Sequence, residues 1–185
     1  MANSVDRAYF RCQLLINIVE RSRRLALANP TDRRNVDLGL VEAGLKKQDA
    51  EAQISSIFDE ISGLLNHVSI LDMAAAFELQ LRAWLGTAIG EARKVVNARY
   101  DRQVPLYLGR NSLVREIEDF EGLARIENLL ISLLTAEVAE HLKLIRVNRN
   151  NFSHGTNTNV PPTITSGDAK AALDATIAAI LTSDA

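Results

Sequence analysis

The ten residues RVNRNNFSHG (146–155) hold two arginines, three asparagines, a serine and a histidine. On an unbroken helix Asn150 and His154 are four apart and share a face, with Arg146 one turn earlier on that same face. Arg149 and His154 lie roughly 140° apart about the axis, so Arg149 flanks the row and is long enough to bend towards it. One edge therefore presents guanidinium, amide and imidazole together. A guanidinium pairs with two phosphate oxygens and offsets charge that develops in a transition state. An imidazole titrates near neutral pH and can take a proton from a ribose 2′-hydroxyl or give one to a leaving oxygen. The amide of Asn150 can orient either group. This chemistry is phosphodiester cleavage without a metal, since the carboxylates that would hold a cation are missing from the stretch. Arg146 would extend the RNA-binding edge or be a solvated charge. Ser153 would position phosphate or hydrogen-bond to the helix backbone. The structural alternative is that basic and Asn side chains near a helix C-terminus complement the dipole and cap carbonyls.

The elements that position this edge are helical. The 185 residues suit one domain, and 47% hydrophobic with 24% charged residues is ordinary for a soluble globular chain. Aromatics are only 5%, which leaves a core of Leu, Ile, Val and Ala that favours helices. A net charge of −2 gives no global reason to bind nucleic acid, so any such site is a local basic patch. Cys12 is the only cysteine; it excludes an intrachain disulfide and a Cys-based zinc site, and its place on an apolar stripe makes it a core residue. The opening MANSVDRAYFRC has no uninterrupted apolar run, and no stretch approaches the roughly 18 apolar residues of a membrane span. The expected location is the cytoplasm.

Val5, Ala8, Tyr9, Cys12, Leu15, Ile16 and Val19 mark a first amphipathic helix ending near Asn29-Pro30. TDRRNVDLG (31–39) reads as a polar loop. Ile54, Ile57, Phe58, Ile61, Leu64 and Leu65 form the stripe of a second helix. A third covers about Ile70 to Arg99, with Phe77, Leu81, Trp84, Leu85, Ala88 and Val95 inward and Gly86 and Gly90 allowing close helix packing. YDRQVPLYLGRN (100–111) is a break. A fourth helical region runs from about Ser112 to Ile145 and beyond, bending at Gly122 or at Thr135. Gly155 is placed to terminate it. After a Pro-containing loop, Ser166 reads as the N-cap of a last helix with Asp168 favouring its dipole, and Leu173, Ile177 and Ile180 form its apolar face. The fold class is all-α: an up-and-down bundle of five to six helices.

The stretch RNNFSHG, with Arg149, a polar residue directly after it, and His154 at the end of a long helix, resembles the signature of the HEPN superfamily. The Pro-containing loop and final helix that follow resemble RiboL-PSP-type HEPN domains in particular, and LDMAAAFELQLRAWL (71–85) resembles an earlier core helix. The resemblance covers about residues 54–181, with the helix over 5–28 packed on that core, so that 1–185 form one HEPN-like domain. It implies a four-helix core that dimerises, with Arg149 binding phosphate, Asn150 as the polar second position and His154 as the catalytic histidine. It also implies a metal-independent endoribonuclease leaving a 2′,3′-cyclic phosphate, needing no cofactor. The settings implied are toxin–antitoxin or phage defence, with RNA as substrate, a second copy of the chain as partner, and an antitoxin or other protein as a further one. The alternative from the same resemblance is a non-catalytic module that binds nucleic acid, a nucleotide or a protein.

Other polar features read more simply. Glu137 and His141 are four apart but lack a matching second pair, so they belong to a solvated helix face. His67 suits a capping or surface position near a helix start. Arg21, Arg23, Arg24, Arg33 and Arg34 form a basic tract that could meet RNA phosphates, although a charged outer face and loop account for it. No Walker A loop, Rossmann glycine fingerprint or serine nucleophile elbow is present.

Overall fold

The computed structural model describes residues 4–100, 130–153 and 164–183. Five α-helices and one 3₁₀ turn make up these residues, with no strand among them: α1 (Ser4–Ala28), α2 (Arg33–Asp37), α3 (Lys47–Tyr100), the 3₁₀ turn Ile131–Leu133, α4 (Ala136–Ser153) and α5 (Ser166–Ser183). The chain is an all-α helical bundle. None of the described helices is long and apolar enough to cross a membrane.

The centre of the bundle is α3, whose 54 residues extend about 80 Å at 1.5 Å per residue. The apolar pattern suggests two helices here, divided between Leu65 and Ile70, yet the backbone runs straight through. Nothing in LNHVS (65–69) forbids helix; what interrupts the pattern is polar side chains that have work elsewhere. Asn66 points at the start of α5, where its Oδ1 accepts from Ser166 N at 2.7 Å and its Nδ2 donates to the Ile164 carbonyl. His67 accordingly sits in mid-helix. The predicted inner face holds at Phe77 and Leu81, thins at the half-buried Trp84 and Leu85, and fails at Ala88 and Val95, which are exposed. Among the described residues, a Cβ added at Gly86 or Gly90 would meet nothing within 4 Å, so neither marks a close contact with a described helix.

Helix α1 runs antiparallel to α3. Ser4 Oγ donates to the Ala76 carbonyl and to Gln80 Oε1, Arg11 pairs with Asp72 at 2.8 Å, and Arg23 pairs with Asp59 at 2.8 Å. Val5, Ala8 and Cys12 are buried as the stripe predicts, whereas Leu15 is exposed. One core joins Val5 and Ala8 to Ile70, Phe77, Ile145 and Leu173, uniting α1, α3, α4 and α5. A second, smaller one gathers Ala26, Val41, Ala50, Ile54 and Phe58 at the other end of α1.

The connection after α1 is more ordered than its polar composition suggests. Asp32 caps α2 by accepting from Arg34 N. Buried Asn35 reaches back to the carbonyls of Ala26, Asn29 and Pro30, satisfying the exposed end of α1. Gly39 and Gly44 adopt φ values of +71° and +84°, which only glycine takes without strain.

The fourth helical region breaks at Thr135 in the described part: Leu134 is extended (φ −110°, ψ 152°) between the 3₁₀ turn and α4. Gly122, Gly155 and the break at residues 101–111 lie outside the described residues. At α5 the cap is Thr165, one residue before the expected Ser166. Its Oγ1 accepts from Asp168 N at 3.1 Å, and its hydroxyl donates to the Asp168 carboxylate at 2.6 Å. That hydrogen bond is the main reason the Asp168 carboxyl titrates below its ordinary 3.8, with the charge of His141 adding a smaller effect against a partial desolvation. Lys170 ties α5 to α1, bonding Asp6 at 2.7 Å while also bonding Asp174 one turn along its own helix. Burial pushes its pKa down, but the two carboxylates outweigh this and raise it.

Two measurements follow. Asn66→Ala removes the acceptor for Ser166 N and is expected to lower stability by about 1–2 kcal/mol in a denaturant titration. Because the folded state holds Asp168 ionised below its ordinary range, its contribution is complete above pH 3.8 and is lost as pH falls through the lowered value. Asp168→Asn should therefore flatten the acid limb of the stability profile in that window.

Candidate functional site

Helix α4 carries the polar edge, and the packing of that helix decides which of its side chains face α3. Leu142 and Ile145 are buried in the main core, which turns Arg146, Arg149 and Asn150 to the margin of the α3–α4 contact. All three are half-buried. Because α4 is unbroken from Ala136 to Ser153, Arg146 and Asn150 do share a face, with Arg149 beside them. Ser153 lies one turn beyond Arg149 at the last residue of the helix. His154 lies outside the described residues.

Arg149 has a partner that the sequence reading missed. Its Nη2 meets Oε2 of Glu78 on α3 at 2.9 Å, with side-chain exposures of 38% for Arg149 and 10% for Glu78. The other carboxylate oxygen, Oε1, is buried and makes no hydrogen bond. A carboxylate placed this deep is costly to bury without a partner, so the pair fixes Arg149 as much as it satisfies Glu78. The signal was present in AAAFELQL (74–81): Glu78 stands four residues after Ala74 and three before Leu81, both buried. A lone acid within such a stripe implies a cation on the helix packed against it.

The remaining polar groups divide between local and open roles. Asn148 Nδ2 donates to the Leu144 carbonyl one turn back, so this asparagine is used by its own helix. Arg149 keeps further N–H groups beyond the one on Glu78, and a third of its side chain is open to solvent. Together with Asn150 it presents a donor pair at the edge of α4 able to meet an anionic oxygen.

The other sequence candidates are placed less suggestively. Glu137 is exposed and His141 half-buried on α4, and no group of three or more potential metal ligands occurs among the described residues. In the basic tract Arg23 is engaged with Asp59, while Arg33 and Arg34 stand 3.9 Å from Asp37 and Asp32. A separate cleft of about 430 Å³ is lined by Leu25, Asn29, Arg34, Leu38 and Phe58 among others, at the α1–α2 corner and away from α4.

Neither the family models, the curated proteins nor the solved structures compared with this chain gave a match.

The ion pair makes a prediction that bears on every later test of Arg149. Arg149→Ala strands a buried carboxylate and is expected to cost about 2 kcal/mol, less than for a fully buried pair because the arginine is part-exposed. The double change Glu78→Gln with Arg149→Met should cost less than the sum of the single ones, by roughly 1–2 kcal/mol, in urea melts.

Proposed function

We propose that this chain is a HEPN-like, metal-independent endoribonuclease whose site is the edge formed by Arg149, Asn150 and His154. The observation that carries the reading is the sequence RNNFSHG at the end of α4. It is supported by the placement of Arg149 and Asn150 side by side at the helix margin, with Glu78 holding the guanidinium.

In the proposed reaction His154 takes the proton of a ribose 2′-hydroxyl, and the 2′-oxygen attacks the adjacent phosphorus. The new P–O2′ bond forms as the P–O5′ bond breaks, and the leaving 5′-oxygen receives a proton from an imidazolium. The products are a 2′,3′-cyclic phosphate and a 5′-hydroxyl, with no water consumed. Arg149 offsets charge on the non-bridging oxygens of the phosphorane-like transition state. Asn150 orients phosphate or imidazole, and Arg146 and Ser153 extend the contact with the RNA strand. Glu78 is a positioning residue that acts through Arg149. A homodimer supplies two histidines, so that one serves as base and the other as acid. A toxin–antitoxin or phage-defence role in the cytoplasm, with an antitoxin as protein partner, fits this activity.

A second reading is favoured by the Glu78–Arg149 pair itself. A guanidinium already neutralised by a buried carboxylate offers less charge to a transition state, which suits a non-catalytic HEPN-like module that binds nucleic acid, a nucleotide or a protein.

Turnover separates the two. Purified protein incubated with mixed RNA in excess EDTA is expected to leave cyclic-phosphate ends, and His154→Ala should reduce the rate by about 10²-fold or more. Arg149→Lys, which retains a cation for Glu78, should lower the rate while keeping most of the stability. Binding without cleavage by the unaltered protein would establish the module instead. Cleavage that persists in His154→Ala would remove His154 from the mechanism.

A further inference from the structure

Helix α1 has two apolar faces, and only one of them is covered. On the face turned away from α3, Phe10, Leu14 and Ile18 follow one another at four residues and Leu25 comes seven further on, so all four share one side. Each is more than half exposed, Phe10 by 71% and Leu25 by 69%. The row is about 22 Å long at 1.5 Å per residue. It is held rigidly, because the opposite face of α1 is anchored in both cores.

The same face is basic. Arg7 and Arg11 bracket Phe10, and Arg21 and Arg24 lie between Ile18 and Leu25; all four are exposed. Arg11 pairs with Asp72, while Arg7, Arg21 and Arg24 make no ion pair with another described residue. The two acids of α1 lie elsewhere. Asp6 is half-buried and held by Lys170, and half-buried Glu20 stands three residues before Arg23, towards the side that meets α3.

α3 adds no opposing charge to this face. Its Asp72 and Asp59 are matched by Arg11 and Arg23 at the two edges of the α1–α3 contact. About the axis of α3, Asp59 lies about 140° from Asp72 across that contact. Glu60 and Arg82 lie about 120° and 80° from Asp72 in the opposite sense, turned away from α1. The register set by the two ion pairs places Lys47 and Asp49 beyond the last residue of α1, and Lys47 stands 3.8 Å from Glu51 of its own helix. At the α1–α2 corner Leu38, exposed by 73%, lines one cleft with Leu25 and so continues the apolar row. Arg33 and Arg34 are balanced there by Asp37 and Asp32, which leaves the basic excess on α1 itself.

A straight apolar row with guanidinium groups along it fits a plane of anions over a hydrocarbon layer. Arginine stems run along apolar surface while their heads stay at the polar boundary. A protein partner would need carboxylates set opposite four spaced arginines, whereas a bilayer with anionic lipid supplies them anywhere in its plane. RNA would use the arginines and leave the leucines and isoleucine without a role, since its bases need flat partners to stack on.

We infer that the outer face of α1 is a peripheral membrane-binding surface, laid in the plane of a bilayer that contains anionic phospholipid. Phe10, Leu14, Ile18 and Leu25 enter the boundary of the acyl layer, and Arg7, Arg11, Arg21 and Arg24 meet lipid phosphates. The helix lies on the membrane and does not span it. The inference rests on α1 and its surroundings and is independent of the ribonuclease reading at Arg149, Asn150 and His154.

Flotation of the full chain with lipid vesicles tests it. Vesicles of phosphatidylcholine with about one third phosphatidylglycerol should carry the protein at about 0.1 M salt, and vesicles of phosphatidylcholine alone should leave most of it behind. Phe10→Ser with Leu14→Ser, and Arg21→Gln with Arg24→Gln, should each lower the partition coefficient about tenfold or more. Arg21→Lys with Arg24→Lys should keep it. All four positions are exposed, so helical circular dichroism should be unchanged in every variant. Failure to float with the anionic vesicles would overturn the inference. So would flotation that survives Phe10→Ser with Leu14→Ser: if the arginine changes alone abolished it, the face would be a general polyanion surface of the kind RNA uses.

Discussion

Burial of one stretch of α3, from Ser69 to Leu81, is the constraint that organises this chain. Ile70, Met73, Ala74 and Phe77 are almost wholly removed from water, and no single neighbouring helix is broad enough to do that. α1 covers one side, while α4 and α5 cover the others, each contributing small or aliphatic residues to one continuous core. Past Leu85 the helix continues to Tyr100, and Gly86, Thr87, Ala88, Glu91, Lys94, Val95 and Ala98 are exposed there.

The same geometry places Arg149 under two demands. As a structural group it answers Glu78, whose carboxylate would be costly to bury alone. As a chemical group it has to present donors outward beside Asn150. These demands are compatible because a guanidinium has several N–H donors in one plane, so that one can be committed inward while others face solvent. Lysine offers no such planar division. A fixed carboxylate behind the guanidinium also limits the rotamers it samples, so less freedom is lost when an anion is engaged.

Much of the architecture was legible in the spacing of apolar residues. Val5, Ala8 and Cys12 gave α1 its inner face, Phe77 and Leu81 that of α3, and Leu173 and Ile177 that of α5, all of them buried as expected. What misled was polar chemistry serving distant partners. Asn66 broke the period without breaking the helix, since a side chain that docks another element looks, in one dimension, like a boundary. Asp32 and Asn35 turned a loop-like composition into a capped helical turn through bonds to backbone carbonyls that composition does not record. At the candidate site the row Arg146, Arg149, Asn150 was legible from helical periodicity. Glu78 was not, because its partner lies 71 residues away. Leu15 and Leu64 fit their stripes by spacing and still face water, since periodicity marks a face without saying which molecule covers it.

The clamp by which Asn66 holds the start of α5 spans a sequence separation of 100 residues, and it gives the bundle an order of assembly. α1 and α3 can pair while the chain is still being made, since both lie within its first hundred residues. Thr165 caps the last helix locally, but Ser166 N finds its acceptor only once α3 already presents Asn66, and closing so long a loop is entropically slow. Until then the flank of α3 that α5 will cover remains bare, with Ile70 and Phe77 among its residues. A polypeptide halted before Ile164 would retain that bare flank indefinitely, as a species prone to aggregate or to be captured by chaperones.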